Sequence, residues 1–96
     1  MPHLIRSPAV LLDVKCLLDF LKSKDLEAAK RAVKAIHEGV KVLEKQSGVG
    51  RPVAGMEDEF RDWIIDFGDS GYVARYRVDQ RAVTVLAVRH QREVGF

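Results

Sequence analysis

The 96 residues have a mass of 10.8 kDa and room for one hydrophobic core, so residues 1–96 are predicted to form a single domain. Apolar side chains make up 47% of the chain and charged ones 31%, which is ordinary for a globular fold and argues against a disordered protein. The net charge of +2 neither requires nor excludes a nucleic-acid partner. The longest apolar runs have four residues, so we expect no membrane span. The chain starts without the pattern of an export signal, and its single cysteine excludes an intrachain disulfide, so we expect a cytoplasmic protein.

The first half of the chain predicts a short edge strand at residues 3–6 and then two helices. Ser7 and Pro8 are typical of a helix start, and Asp25 is typical of a second one. Between and after these caps, apolar residues recur at spacings of three and four, which predicts an antiparallel helical hairpin. We expect the first helix to bury a wide apolar face that includes Leu11, Leu18, Phe20 and, as a small hydrophobe, Cys16. Gly48 is expected to end the second helix in a left-handed conformation.

The second half predicts a loop at residues 48–58 and then three strands at residues 60–67, 72–78 and 82–89. Tight turns at residues 68–71 and 79–81 make these strands an antiparallel meander. The last strand is apolar on both faces except at Thr84, which predicts the central or most covered position in a sheet. The predicted fold is therefore α+β, in the order β-α-α-β-β-β, with the helical hairpin on one face of the sheet.

Four segments in this order resemble the ParE branch of the RelE/ParE toxin superfamily, the plasmid-stabilization toxins of type II toxin–antitoxin systems. They are GRPV at 50–53, FRDWII at 60–65, GYVARYRV at 71–78 and VLAVRH at 85–90, followed by Arg92 and Glu93. The resemblance implies a hetero-oligomer with a ParD-like antitoxin, whose C-terminal segment folds onto the toxin. It also implies that the released toxin binds DNA gyrase and traps it on cleaved DNA.

The related RelE branch shares the fold but cuts messenger RNA on the ribosome, so both activities must be considered. RNA cleavage needs a proton donor, a base and cations for the developing phosphate charge. If this chain were such an RNase, His90, Arg61 and Arg75 would form its catalytic group. The second half contains no lysine and no tyrosine near its C-terminus, where the resemblance implies them in a RelE-type enzyme. The sequence therefore favours a gyrase-binding toxin without catalytic residues, and His90 keeps the RNase alternative open.

The candidate partner-binding residues are arginines and one aromatic residue of the second half: Arg75, Arg77, Arg89, Arg92 and Phe96. Arg75 and Arg77 share one face of their strand, because alternate residues point the same way. They either await an acidic partner or pair with Asp62 or Asp66 on the neighbouring strand. Phe96 either folds back onto the sheet or contacts another protein.

Metal and cofactor sites are not expected in this sequence. His3 and His37 are far apart, and with Cys16 they show no metal-ligand spacing. The glycines at 48 and 50 follow a helix, whereas a phosphate-binding loop leads from a strand into a helix. We also expect no sequence-specific binding of nucleic acid by the toxin alone.

Overall fold

The computed structural model describes residues 3–68 and 70–91 and confirms the predicted α+β architecture. The elements are β1 (His3–Arg6), α1 (Pro8–Lys22), α2 (Leu26–Lys45), β2 (Arg51–Pro52), β3 (Phe60–Phe67), β4 (Ser70–Val78) and β5 (Ala82–His90). One five-stranded sheet has the order β1-β5-β4-β3-β2. Strand β1 is parallel to β5, and the other neighbours are antiparallel. The predicted edge strand, helical hairpin and three-stranded meander are all present.

Both helices begin at the caps that the sequence predicted. The Ser7 hydroxyl accepts a hydrogen bond from the Val10 amide at 3.1 Å and donates one to the Leu86 carbonyl at 3.3 Å. Asp25 accepts hydrogen bonds from two amides of the first turn of α2, at 3.0 and 3.3 Å. The caps satisfy amides that have no partner within the helix. Ser7 also fixes the start of α1 against β5.

The hydrophobic core lies between the helical hairpin and one face of the sheet. Its fully buried side chains include Ile36 and Leu43 from α2, Tyr76 from β4 and Val83 from β5. Helix α2 lies close to β3 at Gly39, where a Cβ atom would come within 2.7 Å of the Ile65 side chain. Here the Trp63 indole Nε1 donates a hydrogen bond to the Gly39 carbonyl at 3.0 Å.

The predictions for the apolar side of α1 were partly wrong. Cys16 is exposed, and Leu11 and Phe20 are 53% and 60% exposed, so none of them belongs to the buried face. Val10 is the residue of α1 that is buried, while Val14, Leu17 and Leu21 pack partly against the core. Apolar residues occur on most sides of α1. The helix packs against the core along one narrow side only, so the apolar residues outside that side remain exposed.

Two further expectations for the segment after α2 were wrong. Gly48 does not have a positive φ, which in the described residues occurs at Gly55 and Gly68. The helix ends instead at Lys45, and the amide of the C-cap residue Gln46 donates to the Val42 carbonyl at 2.9 Å. The predicted loop also contains β2, which pairs with β3 and extends the sheet by one short strand. Neither α1 nor α2, the helices of the described chain, has the length and apolarity needed to cross a bilayer.

Candidate target-binding surface

The face of β3, β4 and β5 that points away from the helices is called here the open sheet face. Residues directly opposite each other on neighbouring strands share a face, so the register defines this surface as three rows. The rows are Ile64–Val73–Arg89, Asp62–Arg75–Ala87 and Phe60–Arg77–Thr84. All of these residues except Arg89 are partly buried. The surface therefore combines apolar side chains with three arginines.

Arg75 lies in the middle row and is fixed by a bidentate ion pair across the strands. Its guanidinium donates from Nε and Nη2 to the two carboxylate oxygens of Asp62, at 2.9 and 3.2 Å. The two side chains are only 19% and 22% exposed. Arginine is always protonated in proteins, and the hydrogen bond to Asp62 raises the pKa of Arg75 further. The sequence left open whether Arg75 pairs with Asp62, and the structure shows that it does.

Arg77 is held by an acid that the sequence did not suggest as its partner. Its Nη2 donates to Oδ2 of Asp79 at 2.9 Å, while Oδ1 of Asp79 accepts the amides of Arg81 and Ala82, each at 2.8 Å. These donors lower the pKa of Asp79 to about 2, with the hydrogen bond from Arg77 as the largest cause. An aspartate at the start of a tight turn commonly bonds the backbone two or three residues on, and that is the sequence signal for Asp79.

Arg89 is connected to α1 through Asp13. One Asp13 oxygen accepts the Val88 amide at 3.0 Å, and the other accepts Nη1 of Arg89 at 3.4 Å. This aspartate lies in the middle of a helix and its partner residues are 75 and 76 positions away, so no local pattern in the sequence predicted the contact. Asp13 both joins α1 to the end of β5 and orients Arg89.

The three residues proposed for the RNase alternative do not converge. Register pairs place His90 beside Tyr72 and Arg61 beside Tyr76, on the face that packs against the helices. Four residues of β4 span about 13 Å, which separates these two positions along the strand. Arg75 lies on the opposite face of the sheet.

His90 and Arg61 each have a local contact. The His90 ring stands edge-on to the Tyr72 ring with centroids 5.5 Å apart. Arg61 donates from Nη1 to the Gly50 carbonyl at 2.8 Å and so holds the segment before β2. Arg92 and Phe96, the other two candidate partner-binding residues, lie outside the described residues.

The described part of the chain contains no candidate metal site. Within residues 3–68 and 70–91, no group of three or more histidine, cysteine, aspartate or glutamate side chains is placed to hold a metal ion. Asp62 of the open sheet face is instead engaged by Arg75, and Asp79, in the turn after β4, is engaged by Arg77 and two backbone amides. The chemistry that this arrangement offers is recognition of a protein surface by apolar contact and by oriented guanidinium groups.

The chain is similar to a toxin family, to a curated toxin and to a solved toxin–antitoxin structure. Residues 4–95 match the family model for the ParE toxin of the type II toxin–antitoxin system parDE. Toxin RelE3 of Caulobacter vibrioides is 31% identical over 86 residues, which are 90% of each chain. A solved structure of the chromosomal ParDE TA system from P. aeruginosa superposes with a TM-score of 0.80 at 24% identity. It covers 94% of this chain and 96% of that chain.

Proposed function

The chain belongs to the ParE toxins of type II toxin–antitoxin systems, and we propose that it acts by binding and poisoning DNA gyrase, held inactive by a ParD-like antitoxin. The observation that carries the proposal is the open sheet face. Ile64, Val73 and Ala87 lie on it beside arginines, and both described helices pack on the other side of the sheet. Partly buried apolar side chains interspersed with arginines are the residue mixture that is enriched in the core of protein interfaces.

A poison of this type needs selective binding and no chemistry of its own. A protein that binds one intermediate of a larger enzyme more tightly than the others shifts the population towards that intermediate. Arginine is enriched at the energetic centres of protein interfaces. Arg75 is held in place by Asp62 before any partner binds, so little side-chain entropy would be lost on association.

A gyrase assay tests the proposed target directly. Purified toxin should inhibit supercoiling and accumulate cleaved DNA in a gyrase-dependent manner. Val73→Glu places a charge on the open sheet face and should lower the amount of cleaved DNA about tenfold, equivalent to ~1.4 kcal/mol of binding. Val42→Glu, at a 37% exposed position on α2, is the matched control and should cleave like the wild type. Absence of cleaved DNA with the wild-type toxin at every concentration would reject gyrase as the target.

The antitoxin part of the proposal follows from the family and is tested separately. A segment that folds only on binding can cover a large surface and remains open to proteolysis when free, which suits a releasable inhibitor. The gene beside this one should encode a ParD-like protein. Its addition to the gyrase assay should abolish DNA cleavage, and a neighbouring product that neither binds the toxin nor suppresses cleavage would contradict this part.

Ribosome-dependent RNA cleavage is the second candidate function, and the similarity to a relative named Toxin RelE3 supports it. It predicts that toxin added to translating ribosomes cuts transcripts at defined codons and that His90→Ala abolishes both cleavage and growth arrest. Growth arrest retained by both His90→Ala and Arg61→Ala would count against it. The wide separation of His90, Arg61 and Arg75 supports the gyrase proposal over this one.

A further inference from the structure

Helix α1 carries a second exposed apolar surface, on the side that points away from α2 and the sheet. Leu12 and Phe20 are each 60% exposed, and Cys16 lies between them and is also exposed. Residues four apart lie on one side of a helix, so these three side chains form a continuous line, called here the α1 strip. The bond from Asp13 to the Val88 amide fixes the rotation of α1 and keeps the strip exposed.

Opposite charges flank this strip on one side. Lys15 and Asp19 are both exposed, and in the described part of the chain neither forms an ion pair with another residue. They lie one residue before Cys16 and three residues after it. A strip with a cation towards one end and an anion towards the other is complementary to a copy of itself in the reverse direction.

We propose that the α1 strip is a self-association surface, on which α1 of a second copy of this chain packs antiparallel. A two-fold axis at Cys16 makes Leu12 of one copy level with Phe20 of the other, since both are four residues from the axis. The rise of a helix is about 1.5 Å per residue, so Lys15 of one copy and Asp19 of the other differ by only about 3 Å in position along the helix axis. A two-fold axis keeps the charged flanks on the same side, so both Lys15–Asp19 pairs form together.

The charge pattern allows a test that separates this proposal from non-specific association. In light scattering across a dilution series, the wild-type chain should approach twice the 10.8 kDa of one copy. Lys15→Asp leaves two acids on the flank and Asp19→Lys leaves two cations, so each variant alone should remain monomeric. An equimolar mixture of the two variants should dimerise again, because each acid then meets a cation. Lys41→Asp, on α2, changes the charge by the same amount and should dimerise like the wild type.

Cys16 reports the geometry independently, because it is the sole cysteine and lies at the proposed axis. A short bismaleimide should link two wild-type copies in high yield, and the link should be lost in Lys15→Asp and return in the mixture, where each variant retains Cys16. Monomeric wild-type protein, a mixture that stays monomeric, or cross-linking that is insensitive to Lys15→Asp would overturn the proposal. Protection of Leu12 and Phe20 by the antitoxin alone, without dimers of the free toxin, would assign the strip to the antitoxin instead.

Discussion

Removal of one buried hydroxyl group tests how the segment before β2 is held. The Tyr76 ring is completely buried, and its hydroxyl donates to the Ser47 carbonyl at 2.7 Å and accepts the Gly50 amide at 2.9 Å. In Tyr76→Phe, the buried Gly50 amide loses its partner, which costs about 1–3 kcal/mol, whereas the half-exposed Ser47 carbonyl can bond to water. We therefore expect a loss of about 2 kcal/mol in the free energy of unfolding.

Thermal and chemical denaturation measure this loss. For a domain of this size, about 2 kcal/mol corresponds to a decrease in Tm of about 8–16 °C. Hydrogen exchange at the Gly50 amide should also accelerate more than at amides in the middle of β4.

Tyr72→Phe provides the matched control for this prediction. Tyr72 lies on the same face of β4 and is only 3% exposed, but its hydroxyl has no hydrogen-bond partner among the described residues. Its substitution should change the unfolding free energy by less than about 0.5 kcal/mol. Equal effects of the two substitutions, or an unchanged Tm in Tyr76→Phe, would refute the view that the hydroxyl holds this segment.

Three further predictions concern glycines and pH. Gly50→Ala should lower the Tm strongly, because the new Cβ would lie 2.7 Å from a buried tyrosine ring, whereas Gly48→Ala, with nothing within 4 Å, should raise stability by about 0.4–1 kcal/mol. Gly39→Ala should also destabilise the protein in urea unfolding despite the higher helix propensity of alanine, since its Cβ would lie 2.7 Å from a side chain of β3. The pKa of Asp79 is lowered from 3.8 to about 2, so its stabilising contribution is complete above pH 3.8 and is lost as the pH falls through 2. Acid titration of the unfolding free energy should therefore show a smaller decrease between these pH values in Asp79→Asn than in the wild type.

The fold was predictable because its signals are local and agree with one another. Ser7, Pro8 and Asp25 define helix starts through bonds that span two or three residues, and the apolar spacing defines which residues repeat on each helix. Alternation along β4 correctly placed Tyr76 towards the helices and Arg75 away from them. Local agreement of this kind is typical of sequences that specify one structure.

The remaining features depend on contacts between distant segments. Strand β2 has only two residues and exists because Arg51 pairs with Asp62, so residues 48–58 alone predicted a loop. Cys16 was assigned to the interior because its neighbours in the chain are apolar, but the way α1 rests on the sheet determines which of them is buried. Of the arginines of the open sheet face, the correct acid was suggested for Arg75 alone.

The contrast between the two faces of β5 connects the fold with the proposed function. The sequence of this strand is apolar on both faces except at Thr84, which predicted the central or most covered position. The structure places β5 second from the edge, between β1 and β4, and the central strand is β4. The helices bury Val83, Val85 and Val88 on one face, while Ala87 on the other lies in the open sheet face. The register shift opposite Arg75 and Tyr76 gathers the three valines on the helix face, so the open sheet face of β5 carries Ala87 between the polar Thr84 and Arg89. The apolar residues of this face that the single chain leaves uncovered by helices lie mainly on β3 and β4, at Phe60, Ile64 and Val73. They are explained if a protein partner completes the second layer, and this is why the open sheet face is the first surface to mutate in a gyrase assay.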